Sequence, residues 1–429
     1  MPFRSAVSGI NAAQSDLKVI GNNVANSNTT GFKSSRAEFA DVFPASQFGS
    51  GSTAIGGGVR LSAVRQQFTQ GTISFTDNAM DLAITGRGFF RLNGNGETLY
   101  SRAGAFGVDK DGFIENSLGM RLTGFTADNG QITGVLGDLQ ISAADNAPRA
   151  TSAVDMTANL DAGVSAKSAS DPPLAMGPEI FDAAGNSFAP QRFAPPDPDS
   201  YHHTSSLQVF DTLGVPHNTT MYFRKNADND WEIQLSIDNQ AFVTPAEGTN
   251  LQFDTSGVMT GPAGPPLGVL TYAAVPVGSG AADLNFSVDL SQTTQFGSSF
   301  GVNELTQDGF TTGRLSSVEV NDEGEVVAQY TNGQTQLLGQ VALANFSNES
   351  GLSPMSDTVW AESSDSGAPL LGAPGSASLG LVQSSALEES NVDLTEELVK
   401  LIVAQRNFQA NAQVIRTADE TTQTIVNLR

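Results

Sequence analysis

Cysteine is absent from this chain of 429 residues. That excludes a disulfide framework, a thiolate nucleophile and any Cys-based metal site, and it leaves the compartment open. Charge is scarce as well: 15% of the residues are Asp, Glu, Lys or Arg, against roughly 25% in an average soluble protein. Polarity therefore falls to Asn, Gln, Ser and Thr, and surfaces of that kind are easily buried against neighbours. The charge present is lopsided, a formal −24, and between Asn226 and Val399 the only Lys or Arg is Arg314. Nucleic acid is not an expected partner, because phosphate neutralisation needs clustered bases; an anionic membrane surface is unexpected for the same reason. No stretch approaches the roughly 18 apolar residues of a membrane span. The opening residues lack the continuous apolar core of a secretory signal, so export, if it occurs, is expected by a route that cleaves no signal peptide.

Chemistry-bearing constellations are equally thin. The three histidines are His202, His203 and His217, and a metal site would need them to converge with a carboxylate such as Asp211. An adjacent His-His pair beside Pro and Asp reads as solvated. No Gly-x-Ser-x-Gly elbow is present. Gly86-Arg87-Gly88-Phe89-Phe90 resembles the start of a phosphate-binding loop, but no helical pattern follows, so it reads as a tight turn between strands. The expectation is no catalytic, cofactor or metal site, and no enzyme.

Glycine and proline are abundant, 44 and 19, yet neither occurs from Leu381 to Arg429. That tail reads as one long helix. Leu394, Leu398, Leu401, Gln405, Phe408, Ala412, Ile415, Asp419, Thr422 and Val426 fall on alternating steps of four and three, the seam of a coiled coil. Near the start, Ala6, Ile10, Ala13, Leu17, Ile20 and Val24 follow the same alternation. Such stripes need each other or copies of themselves, since a short helix with one apolar stripe is marginal alone. Charge favours pairing of the two ends: Arg4, Lys18, Lys33 and Arg36 stand against Asp16 alone, whereas Glu388, Glu389, Asp393, Glu396, Glu397, Asp419 and Glu420 outnumber Lys400, Arg406, Arg416 and Arg429. The acids Glu388-Glu389 and Glu396-Glu397 read as residues at the positive end of the last helix, and Asp393 with Glu396 has capping-box spacing.

Between the ends the texture is β. Turn dipeptides Asn93-Gly94, Asn95-Gly96, Asp111-Gly112 and Asn129-Gly130 separate apolar runs. Strands are predicted over Met80 to Thr85, Gly88 to Leu92, Arg121 to Thr126, Ser205 to Phe210, Thr219 to Phe223 and Trp231 to Ile237. A Gly/Ser-rich stretch, Gly49 to Gly58, reads as a flexible or extended connector. The predicted fold is mainly β and multidomain, with N- and C-terminal helices paired as a coiled coil and a chain that runs out and back. Its expected parts are a terminal helical domain (1–26 with 386–429), a connector (27–70 with 379–385), an inner β domain (71–150 with 303–378) and an outer β domain (151–302).

Three passages then resemble the bacterial flagellar axial proteins, the rod, hook and hook–filament junction subunits. One is Gly9-Ile10-Asn11-Ala12-Ala13 with Asn22-Asn23-Val24-Ala25-Asn26 and Gly31-Phe32-Lys33. Another is Asp81 to Phe90. The last is Ala386 to Asp393, in which Asn391-Val392-Asp393 stands out, followed by Gln405-Arg406-Asn407 and Val426 to Arg429. Phe210 to Gly214 ahead of Trp231 resembles the outer domain of the hook protein family within that group. The resemblance implies a structural subunit, exported through the flagellar secretion channel and polymerised with itself into a short curved tube. That tube works as a universal joint between motor and filament, outside the cell. The implied partners are other copies, the rod, hook cap and hook–filament junction proteins, and the export apparatus, with no cofactor. Alternatives are a distal rod or junction protein, or a self-associating adhesin-like module.

Overall fold

The computed structural model describes residues 2–42 and 56–427, apart from 95, 129, 143, 169, 263–265 and 279. Most of the expected connector at Gly49 to Gly58, the turn positions Asn95 and Asn129, and the side chain of Val426 lie outside what is described. Two compact units emerge: one of Met1–Ala143, Ser316–Gln329 and Thr335–Arg429, the other of Ala144–Leu315 and Tyr330–Gln334.

The first unit holds both helices. Helix α1, Pro2–Ala25, opens on a proline, whose missing N–H is no loss at a helix start. Helix α2 spans Leu394–Asn427. It begins at Asp393, whose carboxylate accepts from the backbone N–H of Thr395 (2.8 Å) and Glu396 (3.1 Å), satisfying donors that the first turn leaves open. The tail is thus not one helix from Leu381. Leu381–Ser384 and Ala386–Glu388 are strands, paired with Leu82–Thr85 and Ile73–Phe75. Between them Ser385 sits at a φ of 54° and shifts the chain from one ladder to the next. A lack of Gly and Pro permits a helix without imposing one, and fully buried Val382 and Ala386 are held better by two ladders than by a helical turn.

The expected connector carries strands on either side of its Gly/Ser-rich stretch. Ser35–Asp41 and Val59–Gln66 form an antiparallel hairpin of their own. The larger sheet of this unit runs, in part, Leu315–Val320, Glu325–Tyr330, Thr335–Val341, Arg121–Asp128, Phe89–Gly94, Glu97–Ser101, Val359–Ala361. Its core is aromatic: Phe89, Tyr100, Phe346 and Trp360 are buried together, with edge-to-face rings such as Tyr100 and Phe346 at 4.8 Å between centroids. Hairpin turns are set locally. At Asp109, Asn116 and Asn321 a side-chain oxygen accepts from the backbone N–H groups two and four residues on, with a positive-φ glycine at the third, so the turn closes without help from elsewhere. Gly86 and Gly88, at φ of 109° and 127°, make the tight turn read from sequence.

The second unit packs two five-stranded sheets around one core. One contains His203–Phe210, Pro216–Ala227, Asp230–Ile237, Asn250–Phe253 and Met259–Gly261; the other is built on Ala153–Asp161. Alternate residues of Asp230–Ile237 point inward, and Trp231, Ile233, Leu235 and Ile237 are fully buried, as half-buried strands require.

Candidate assembly face and the junction behind it

Helices α1 and α2 pack antiparallel. Near one end of the pair a Cβ added to Gly9 would sit 2.6 Å from Asn411 Oδ1; near the other, Asn23 Nδ2 donates to Glu397 Oε2 at 3.2 Å. Ala6, Ala13 and Ile20 are buried on α1, and Ala404 on α2. Ile10, Leu17 and Val24 are half-buried. On α2 the side turned to α1 carries Glu397, Leu401, Ala404, Asn411, Ile415 and Ala418, all buried or half-buried. The predicted seam shares Leu401 and Ile415 with that side and places Ala412 half-buried beside it. Its other members diverge: Leu394 and Leu398 are 44% and 51% exposed, and Phe408 is at the edge. The apolar alternation chose the residues most in need of burial, whereas the intramolecular contact selects small ones that let two helix backbones approach.

What remains is an unpartnered apolar face. Leu394, Leu398, Val399, Ile402 and Val403 are each 44 to 58% exposed, with Val399 and Ile402 on the side of α2 opposite α1, Leu398 and Val403 on its flanks and Leu394 at its first turn. Full burial of such a side chain contributes about 1.5–3 kcal/mol, and contiguous apolar patches on soluble chains mark contact sites.

The expected charge pairing of the helices takes another form. Among the described residues no ion pair joins α1 to α2. Lys400 instead pairs within its own helix with Glu396 and Glu397, both at 2.8 Å. Asp16 lies against this group, and burial first, then Glu397, raises its carboxyl above the usual aspartate range, with Lys400 opposing.

Behind the helices the family-motif residues tie the chain ends together. Asn23 is buried, accepting from Ser35 N (2.9 Å) and donating to Ser35 O (2.8 Å). Asn391 accepts from Ser34 N (2.7 Å) and donates to Gln67 O (2.8 Å) and Thr69 Oγ1 (2.9 Å). Asn26 donates to Asn22 O (3.0 Å), Asn22 and Ala25 are exposed, and Phe32 and Val392 are half-buried. Gly31, at φ 69°, has no room for a Cβ beside Ala103 and donates its N–H to Glu388 O (2.8 Å).

Glu388 is the centre of this junction and not a residue of the helix start. Its fully buried carboxylate accepts from Lys33 Nζ (2.6 Å), Gly71 N (2.9 Å) and Arg102 Nη1 (3.2 Å). Arg102 also donates to Gly86 O (2.8 Å), and Lys33 to Thr69 O (2.8 Å). Burial holds both cations below their ordinary ranges, against the pull of Glu388. Sequence reading missed this cluster because its members are remote along the chain, 355 residues for Lys33 and Glu388; the one available signal was a lysine inside the Gly31-Phe32-Lys33 motif. Gln405, Arg406 and Asn407, by contrast, are exposed on α2.

In the second unit His217 lies between two carboxylates, Nδ1 2.7 Å from Asp238 and Nε2 3.3 Å from Asp211. His202 and His203 are half-buried against Trp231 instead of solvated. Among the described residues no group of three or more His, Cys, Asp or Glu converges as for a metal ion, and no helix is long and apolar enough to cross a membrane.

Paired terminal helices, a charged junction joining both ends of the chain and interpolated β units define a flagellar axial protein, and comparison with known proteins agrees. Family models match at residues 3–33 (flagella basal body rod protein), 83–158 (flagellar hook protein FlgE/F/G D1 domain), 180–310 (flagellar basal body protein FlaE D2 domain) and 383–428 (flagellar basal body rod FlgEFG protein C-terminal). The flagellar hook protein FlgE of Escherichia coli K12 is 38% identical over 437 residues, covering 100% of both chains. That of Salmonella typhimurium is 38% identical over 439 residues with the same coverage, and that of Rhizobium meliloti 31% identical, covering 100% of this chain and 98% of its own. In fold, the crystal structure of Helicobacter pylori flagellar hook protein FlgE2 matches 73% of this chain with a TM-score of 0.53 at 14% identity. The chain belongs to the flagellar hook protein FlgE family.

Proposed function

We infer that this chain is a structural subunit of the flagellar hook, not an enzyme, and that copies polymerise through their helical ends into a short curved tube. Full-length similarity to hook proteins supports the assignment. The observation that carries the mechanism is the apolar face of α2, which a single chain leaves in water. In the polymer that face packs on helices of neighbouring copies, and α1 with α2 works as one strand pair of a coiled-coil wall built from the seam residues Leu394, Leu398 and Phe408. The four-part division into helical, connector, inner and outer β domains fits this role, with uncharged polar surfaces on the β parts sliding as the tube bends. Assembly outside the cell would engage the rod below, the hook cap during growth and the junction proteins above, after passage through the flagellar export apparatus.

The helix faces provide the test. Leu398→Asp places a charge on the outward face and is expected to abolish sedimentable polymer while leaving the thermal unfolding of the monomer unchanged. Ile415→Asp buries its charge against α1 and should loosen the helix pair itself. Normal polymerisation of Leu398→Asp would rule out this face as the assembly surface.

A further inference from the structure

The most conspicuous motif of α2, Gln405-Arg406-Asn407, turns its side chains to solvent. Arg406 is exposed and, among the described residues, forms no ion pair. By helical spacing it lies one turn beyond Ile402 on the outward face, so it continues the apolar stripe of Leu398, Val399 and Ile402. It is the charge placed where that stripe ends.

A groove of opposite character lies at the other end of the stripe. Its walls are α1, the strand Ser35–Asp41 and the first turn of α2, and its volume is about 510 Å³. Charged groups in the lining are Asp16, Asp393, Glu396 and Glu397 against Arg36 and Lys400. Lys400 is already committed to Glu396 and Glu397, and the Asp393 carboxylate to the cap of α2. Asp16 is left half-buried, with Glu397 the charge that acts on it most strongly and Lys400 opposing. Leu394, where the exposed apolar face begins, follows Asp393 directly at the rim.

We propose that this groove receives Arg406 of a second copy, whose guanidinium pairs with Asp16 while the two outward stripes are buried alongside. The inference rests on the polymer reading and names a charged contact within it. Charge complementarity and continuity with the apolar face select another copy as the occupant. Knob and groove occupy different places on the same protomer, so the contact is head-to-tail, the kind that propagates as a filament or helix instead of closing a dimer. Glu397 is already engaged with Asn23 and Lys400, which leaves Asp16 as the acid free to take the incoming guanidinium.

Charge reversal and mixing test this with the full chain. Wild type, Arg406→Glu and Asp16→Arg are each driven to polymerise with a salting-out agent, and the critical concentration is read by sedimentation. Each variant alone is expected to need at least about tenfold more protein, because like charges then meet in the groove. An equimolar mixture of the two should return to near the wild-type value, since alternating copies restore every pair. Asp16→Asn should raise the critical concentration while leaving the monomer at least as heat-stable as wild type, a split that a purely structural role would not produce. Unchanged assembly of Arg406→Glu, or no rescue on mixing, overturns the proposal and leaves the polymer reading standing. Failure of the wild type itself to sediment overturns both.

Discussion

Removing the charge of Glu388 by Glu388→Gln should be among the most damaging single changes in the first unit. Its carboxylate is fully buried and receives three donors, two of them cations with 0% and 4% side-chain exposure. Breaking a buried ion pair by taking away one partner costs about 3–5 kcal/mol, because the other charge stays behind without compensation; here two charges stay behind. Glutamine keeps one acceptor oxygen and turns a donor amide toward the cations, so about 4 kcal/mol is expected. Lys33→Met should behave differently. Burial is the largest influence on the Lys33 ammonium and holds it below the ordinary lysine range despite Glu388, and after the change Glu388 keeps Arg102 and Gly71 N. The loss is then about 1 kcal/mol, the size of an ordinary hydrogen bond. The two tryptophans fall one in each unit, Trp360 in the first and Trp231 in the second. Urea unfolding followed by Trp360 fluorescence in a Trp231→Phe background therefore reads the first unit, with stability taken from the midpoint at unchanged slope. A Lys33→Met cost equal to that of Glu388→Gln, or a Glu388→Gln cost below about 1 kcal/mol, would refute the view that Glu388 is the keystone.

Further outcomes are equally specific. Because the native Asp16 carboxyl is raised above its unfolded value, the native chain binds more protons over that interval, so this residue's contribution to stability falls as pH rises through it; Asp16→Asn should flatten the mildly acidic limb of a Tm against pH curve. Thr358 holds φ at 57° beside Asp357 at 63°, a region costly for a β-branched residue, and Thr358→Gly should raise the stability of the first unit by about 1 kcal/mol in the same fluorescence assay. His217→Ala removes both ring contacts, to Asp238 and to the fully buried Asp211, and should cost the second unit about 2 kcal/mol, as for buried polar groups that lose their partner, read through Trp231.

Local chemistry was the legible part of this molecule. Both terminal helices, the Asp393 cap and the strands around Phe89, Arg121, His203 and Trp231 follow from residue spacing and turn residues, because those signals act within a few positions. Leu381 to Glu388 departs from the helix its sequence suggests for the converse reason. Nothing local in Leu381-Val382-Gln383-Ser384 separates strand from helix, and the partners that decide it, Leu82 to Thr85, are some three hundred residues away. The same distance hides the junction, where Lys33, Arg102 and Glu388 each look like surface charges in sequence. The phase of the helix contact was lost to size: Gly9, Ala13 and Ala404 win the interface by being small, while hydrophobicity pointed to Leu394 and Leu398, which stay exposed in the single chain.

Electron microscopy of the purified chain, concentrated with a salting-out agent, tests the central claim most directly. Curved tubes that vanish in Leu398→Asp are the expected result. Persistent monomers of the wild-type chain, or tubes unaffected by Leu398→Asp, would contradict a hook subunit that assembles through the outward face of its C-terminal helix.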